Sequence, residues 1–248
     1  MMDKERIDLL LVELGLADSR SQAQKLIMAG EVLADNQLVY KPSQVFSREA
    51  NIRIKNKPRY VSRGGLKLEK ALEEFGFSSL DGKVCVDVGA STGGFTDCLL
   101  QHGARKVYAI DVGYGQLHDS LRKNQNVIVM ERTNIKEVKT LPEPVDLVVI
   151  DASFISLKSI FPTIALWKFK EKMDLIALVK PQFEAGKKEA ARGKGVIRSA
   201  EIQQRVISEV ICFAESFGFR HLHATESPIE GPKGNREFLV YLDRIQIE

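Results

Sequence analysis

Cysteine is scarce in this sequence: Cys85, Cys98 and Cys212 are its three, far apart and with no Cys-x-x-Cys spacing. One thiol is necessarily left over, so a disulfide framework and a zinc knuckle are both disfavoured, and a reducing compartment is expected. Long apolar runs are missing too. None approaches the roughly 20 residues that span a bilayer. From Met1 to Leu16 the chain is broken by Asp3, Lys4, Glu5, Arg6, Asp8 and Glu13, which does not fit a secretory leader. The expectation is a soluble, cytoplasmic protein with no membrane association. Charge of one sign is a third absence: 36 Lys+Arg against 33 Asp+Glu leaves +3 at pH 7, too little to demand an anionic partner. What is there is ordinary globular composition, 44% hydrophobic and 28% charged over 248 residues. That suits one large domain, or a mid-sized domain plus a small one.

The N-terminal region has a pattern of its own. Ile7, Leu10, Leu11 and Leu14 form one helical stripe, closed by Gly15. Ser19 and Gln22 make a capping box that opens a second helix, with Ala23, Leu26 and Ile27 as its buried face and Gly30 as its stop. Glu31–Leu33 and Gln37–Tyr40 read as short strands turned at Asp35-Asn36. The expected division is a small α+β domain over residues 1–58, a linker over 59–62, and a second domain over 63–248. From Arg48 to Lys67 seven residues are basic (Arg48, Arg53, Lys55, Lys57, Arg59, Arg63, Lys67) and one, Glu49, is acidic. Such a run is either a solvated face or a strip that contacts phosphates by displacing counterions.

The order Arg6-Ile7-Asp8-Leu9-Leu10-Leu11-Val12, Gly15-Leu16-Ala17-Asp18-Ser19-Arg20, Leu26-Ile27-Met28-Ala29-Gly30-Glu31-Val32 and Val39-Tyr40-Lys41-Pro42-Ser43 resembles the small RNA-binding domain named after ribosomal protein S-four. That family more often turns its hairpin with Asn-Gly, where this chain has Asp35-Asn36. The resemblance implies RNA contacts from Arg6, Arg20, Lys25 and Lys41.

Beyond residue 80 apolar runs alternate with amphipathic stretches: Val84–Val88, Val107–Ile110, Val127–Met130, Leu147–Ile150 and Leu175–Val179. A long helix through Ile202, Val206, Val210, Phe213 and Phe217, stopped by Gly218, precedes His221–Ala224 and Phe238–Leu242. This alternation predicts an α/β fold, a mostly parallel sheet with helices on both faces. The last two runs, joined by a loop alone, predict an antiparallel pair at its end.

The first of these strands runs into Gly89-Ala90-Ser91-Thr92-Gly93-Gly94-Phe95-Thr96 and then a helix. Glycines at a strand–helix turn let backbone approach a ligand that side chains would block. A dinucleotide fingerprint fails for want of its second glycine, and a phosphate-binding loop fails because Phe95-Thr96 stands where Lys-Ser/Thr is required. What fits is Asp87 just before the turn and Asp111, followed by Val112, at the end of the next strand, where a carboxylate can accept both hydroxyls of a ribose. No cluster of positive charge awaits a pyrophosphate, so the expected ligand is adenosyl without phosphates, S-adenosylmethionine. The alternative is a tight turn with a solvated aspartate. Expected cofactor contacts are Asp87, Gly89, Ala90, Ser91, Gly93, Gly94, Phe95, Asp111, Val112 and Asp151.

Four further motifs belong to the same edge of the sheet: Ser62-Arg63-Gly64-Gly65-Leu66-Lys67-Leu68, Asp151-Ala152-Ser153-Phe154, Lys180-Pro181-Gln182-Phe183-Glu184 and Gly231-Pro232-Lys233-Gly234-Asn235-Arg236-Glu237. Singly, Lys180 can mark no more than a solvated strand end. Two lysines and two acids on one edge suit a ribose 2′-hydroxyl, which must lose its proton as it attacks a sulfonium methyl; a lysine can take that proton or polarise the hydroxyl. In this order the motifs resemble the Lys-Asp-Lys-Glu methyltransferases of the FtsJ-like group, and with the front domain the hemolysin A (TlyA) family of ribosomal RNA cytidine-2′-O-methyltransferases. The resemblance implies a Rossmann-like methyltransferase fold with a seven-stranded sheet. It also implies Lys67, Asp151, Lys180 and Glu237 as the catalytic tetrad, with Lys180 the candidate base, and ribosomal RNA or ribosomal subunits as partners.

Phe154 can stack on an extruded base or serve as a core side chain. Arg63 joins the expected RNA contacts. Phe183 to Arg198, with Lys187, Lys188, Arg192, Lys194 and Arg198 among three glycines, is either a flap that closes on RNA or a plain mobile loop. His221 and His223 lack further ligand character nearby, so no metal is expected, and no obligate protein partner is readable. Competing readings are base methylation, disfavoured because Asp151-Ala152-Ser153-Phe154 lacks the Pro-Pro of amino-group methyltransferases, a non-catalytic RNA-binding assembly factor, and a pore-forming cytolysin, disfavoured by the missing apolar spans.

Overall fold

Helical spacing puts Ile7, Leu10 and Leu11 on one face of α1 (Ile7–Glu13), and all three are buried. The computed structural model describes residues 3–55 and 58–246, and the chain divides into two units, Met1–Pro58 and Arg59–Glu248. In the first, β1 (Lys4–Arg6) leads into α1, and α2 (Arg20–Met28) follows. Ser19 caps α2 by accepting the Gln22 N–H, while the Gln22 side chain accepts from Asp18 rather than from Ser19 itself. β2 (Val32–Ala34) and β3 (Gln37–Leu38) form the expected hairpin, with Asp35 and Asn36 at φ 48° and 67°. Two left-handed residues in succession match the right-handed twist of a hairpin, and Asp and Asn tolerate that conformation. β4 (Val45–Ser47) pairs with β1 and β5 (Ile52–Ile54) with β2, strands too short to show a period. Ile7, Leu11, Ala23, Ile27, Val32 and Val39 form the core.

In the second unit the expected sheet is present. Its elements are α3 (Gly64–Glu74), β6 (Val84–Val88), α4 (Gly94–Gln101), β7 (Lys106–Ile110), α5 (Asp119–Arg122), β8 (Val127–Met130), β9 (Leu147–Ile150), α6 (Phe161–Ile164), β10 (Lys172–Val179), α7 (Pro181–Glu184), α8 (Lys187–Arg192), α9 (Ala200–Glu215), β11 (Arg220–Glu226) and β12 (Phe238–Ile245). The seven strands lie in the order β11-β12-β10-β9-β6-β7-β8. All pairings are parallel except those of β12, which is antiparallel to both β10 and β11. Alternate residues of each strand face opposite layers. Val84, Val86 and Val88 pack with Val206 and Val210 of α9, while Cys85 packs with Leu68 and Leu72 of α3 and Leu99 of α4.

β10 and β12 outrun the expected apolar stretches because their buried acids are paired: Asp174 accepts from Tyr241 at 2.7 Å, and Asp243 takes both guanidinium arms of Arg220 at 2.8 and 2.7 Å. Residues 59–62, expected as a linker, lie within the second unit. Tyr60 is buried, the Val61 N–H bonds Asp97, and the Arg59 carbonyl accepts from Gln101. No helix among the described residues is long and apolar enough to cross a membrane.

Candidate active site

The register of the strands decides which side chains meet at the carboxyl edge of the sheet. β6, β9 and β10 run parallel, so Gly89, Asp151 and Lys180 leave the sheet on one edge. β12 runs the other way with Phe238 opposite Val179, which puts the residue before it, Glu237, at the register position opposite Lys180. Helix α3 contributes Lys67 from its first turn. Its start packs so tightly on α4 that a Cβ on Gly94 would lie 2.9 Å from the Gly65 nitrogen.

Two ion pairs result, one buried and one partly buried. Lys67 Nζ donates to Glu237 Oε2 at 2.6 Å. Lys180 Nζ donates to Ser153 Oγ at 2.8 Å and stands 2.6 Å from Asp151 Oδ1. Asp151 Oδ1 is satisfied by the Lys180 ammonium, whereas Glu237 Oε1 has no hydrogen-bond partner among the described residues. Buried carboxylate oxygens left in this state are uncommon and mark a place where a ligand can complete them.

All four side chains line one cavity of about 560 Å³, with Arg63 and Phe95 on its wall. A second cavity of about 440 Å³ is lined by Asp111, Val112, Gln116, Asn134 and Ile135 among others. Gly89, Ser91, Asp151 and Ser153 line both, which makes them two halves of one cleft. Gly89, at φ +85°, makes this possible: a Cβ there would stand 2.8 Å from the Asp151 carbonyl oxygen. Asp111 accepts the Ser91 N–H on Oδ2 and the Gly113 N–H on Oδ1, each at 2.7 Å. Its remaining lone pairs are free for two further donors, the number a ribose diol offers.

Two expected cofactor residues stand elsewhere. Asp87 lines neither cavity. It is fully buried behind the turn, where Thr96 Oγ1 donates to its Oδ2 at 2.6 Å. Burial pushes its carboxyl up to about 7, the Thr96 bond opposes that rise, and the charge of Asp151 adds to it. Gly93 likewise lines neither cavity and abuts Leu121 and Leu117. Ala90, Ser91, Gly94 and Phe95 are on the wall of the first cavity and Asp111 and Val112 on that of the second. Ser153, Gln116 and Asn134 are site residues the sequence reading missed. Ser153 could have been found from its place two residues after Asp151, whereas Gln116 and Asn134 come from loops with no motif.

Phe154 is not a core side chain. It is 90% exposed at the rim of the second cavity, tilted against Phe183 at 5.1 Å, and has φ +65°. For a bulky residue that backbone conformation is costly and tends to occur at functional positions. Part of the basic run from Arg48 to Lys67 is engaged in ion pairs, while Arg53 donates to Asn36 and Arg63 lines the first cavity. Arg48 pairs with Asp3, Glu5 and Glu13, Arg59 with Glu69, and Lys67 with Glu237; Lys57 lies outside the described residues. In the first unit Arg6 and Arg20 both bond the buried carboxylate of Asp8, which also accepts from Gln24, while Lys25 and Lys41 are exposed. Among the described residues no group of three or more His, Cys, Asp or Glu could hold a metal ion.

Comparison with known proteins agrees with this architecture. Residues 60–244 match the FtsJ-like methyltransferase family and residues 5–52 the S4 domain. A Bacillus subtilis (strain 168) protein named provisionally as rRNA methyltransferase YqxC is 46% identical over 96% of this chain and 85% of its own. The 16S/23S rRNA (cytidine-2′-O)-methyltransferase TlyA of Mycobacterium tuberculosis (strain CDC 1551 / Oshkosh) is 41% identical over 98% of this chain and 91% of its own. A solved structure from Streptococcus thermophilus, described provisionally as a hemolysin, is 41% identical with a TM-score of 0.73 and covers 99% of this chain and 90% of that one.

Proposed function

The chain belongs to the FtsJ-like methyltransferase family, and from that premise we propose that it transfers a methyl group from S-adenosylmethionine to a ribose 2′-hydroxyl, that of a cytidine, in ribosomal RNA. The unit Met1–Pro58 docks on structured RNA, and the substrate is met in the cytoplasm, as naked RNA or within a ribosomal subunit. The observation that carries this reading is the cleft itself. Two lysine–carboxylate pairs face one half of it, Asp111 faces the other, and Asp151 belongs to both.

The residues present fit the cofactor. A cleft half of about 440 Å³ is within the size range of small-ligand sites. Asp111 has acceptor capacity for a ribose, and Asp151 stands at the junction of the two halves. When bound, S-adenosylmethionine supplies an electrophilic methyl group on a sulfonium. The chain has the remaining work. The Lys67–Glu237 pair and Lys180 hold the acceptor hydroxyl so that its oxygen is aligned for attack, a contribution of orientation. As the oxygen–carbon bond forms, the hydroxyl proton must leave, and Lys180 is the group assigned to polarise it as an ammonium, or to receive it after giving up one of its own protons, with Ser153 and Asp151 fixing its side chain. Phe154, exposed at the rim, stacks on the extruded base.

The test is a tritiated methyl donor offered with intact subunits and with naked ribosomal RNA, followed by nuclease digestion and mass spectrometry. Label on the sugar of a cytidine is the expected result, and label on a base excludes the reading. Lys180→Ala should abolish transfer while retaining cofactor binding; unchanged turnover would overturn the assignment.

A further inference from the structure

Between α8 and α9 the segment Gly193-Lys194-Gly195-Val196-Ile197 folds back on itself, so tightly that a Cβ on Gly193 would lie 1.9 Å from the Val196 carbonyl oxygen. Two side chains with no part in the chemistry above hold it. Asn235, 3% exposed, accepts the Ile197 N–H on Oδ1 at 3.1 Å and donates from Nδ2 to the Gly195 carbonyl at 2.9 Å. Gln203 of α9, 2% exposed, donates to the Ile197 carbonyl at 2.7 Å. Both backbone polar groups of Ile197 are thereby satisfied by buried amides. A buried amide costs stability unless its hydrogen bonds are made, so these bonds are selective for one placement of the loop.

The other side of Asn235 leads to the ion pairs. Its carbonyl accepts the Gly231 N–H at 2.8 Å, and a Cβ on Gly231 would lie 2.0 Å from Glu237 Oε1. Residues 231–237 thus form one closed turn. It passes so close to the Glu237 carboxylate that no side chain fits at Gly231, and it grips the 193–197 loop at another point. Arg192, Lys194 and Arg198, all exposed, flank that grip.

We propose that Asn235 is a positioning residue that couples the basic loop to the Glu237–Lys67 pair, with Gln203 as its anchor on α9. Seating of the loop on RNA phosphates and placement of the Glu237 carboxylate are then one event. The inference rests on the methyl transfer proposed above, and the experiment separates the two.

In the full chain, Asn235→Ala should lower kcat on RNA by about tenfold or more, as small displacements of reacting groups do, with affinity for S-adenosylmethionine unchanged within about twofold. Gln203→Met, which puts an apolar side chain of similar size in place of the amide on α9, should reproduce the loss. Limited trypsin cleavage after Arg192, Lys194 and Arg198 should accelerate in both variants. Asn235→Asp distinguishes the hydrogen bonds from bulk. A protonated acid can both accept from Ile197 and donate to Gly195, so its activity relative to the wild-type chain should recover as pH falls, whereas Asn235→Ala shows no recovery. Wild-type turnover in Asn235→Ala, or lost turnover with unaccelerated cleavage, overturns the coupling. A wild-type chain that labels no ribose defeats the functional reading instead, and the cleavage rates still decide whether the loop is held as described.

Discussion

Lys67 and Glu237, 170 residues apart in the chain, form a hydrogen-bonded ion pair of 2.6 Å inside the protein. Removing one member leaves a charge with no partner in a place from which water is largely excluded, and that is the costly way to break such a pair. Lys67→Met should abolish turnover and also lower stability by about 2–4 kcal/mol, the lower end applying because the adjacent cavity admits water. Adding Glu237→Gln should restore part of that stability without restoring turnover. Denaturant melts of the single and double variants check this; strictly additive losses would show that the two groups do not depend on each other.

Asp87 predicts a pH dependence of the opposite sign from most carboxylates. Its ordinary value of 3.8 rises to about 7 in the fold, so the folded state holds the proton more tightly than the unfolded one. The stability contributed is complete below the ordinary value and is lost as pH rises through about 7. Asp87→Asn should therefore gain on the parent between roughly pH 5 and 8, by about 1–2 kcal/mol. Parallel melting curves across that range would refute the burial argument.

Phe154 combines exposure with a left-handed backbone, so it contributes little to the core and costs some conformational energy. Phe154→Gly should leave stability equal to or above that of the parent, within about 1 kcal/mol, while turnover on RNA falls by about tenfold or more through loss of a stacking surface. Cofactor binding is the control and should not change. A variant that unfolds early would return Phe154 to a structural role.

The first unit separates two kinds of basic residue. Arg6, Gln24 and Arg20 hold the carboxyl of Asp8 far below the usual carboxylate range, against the opposing effect of burial. Stability from Asp8 is present above that usual range and lost as pH falls through the depressed folded value. Arg20→Ala should accordingly cost about 1–2 kcal/mol of stability as well as RNA affinity. Lys25→Ala and Lys41→Ala should reduce affinity and the salt slope with melting unchanged. Equal effects of all three on melting would contradict the division.

The strands β6, β7 and β9 were legible because each is a short, mainly apolar run buried on both faces, and β8, at the sheet edge with Ile128 exposed, because its residues are all apolar. The full lengths of β10 and β12 were not, since Asp174 and Asp243 interrupt the run and are tolerated through Tyr241 and Arg220, partners distant in the chain. The four ionisable groups could be picked out as motifs, but which lysine serves which carboxylate depends on β12 running antiparallel, a matter of register that local pattern does not carry. The same limit explains Arg6 and Arg20. Their partner Asp8 lies in plain view, yet only the packing of α1 on α2 shows that one carboxylate holds both guanidinium groups.

Strand β12 slots between two strands made before it, and the residue at its head completes the Lys67 pair. A chain that lacks residues 237–245 would therefore leave the facing edges of β10 and β11 unjoined and Lys67 without its carboxylate, so the last strand closes the sheet and the ion pair in one step.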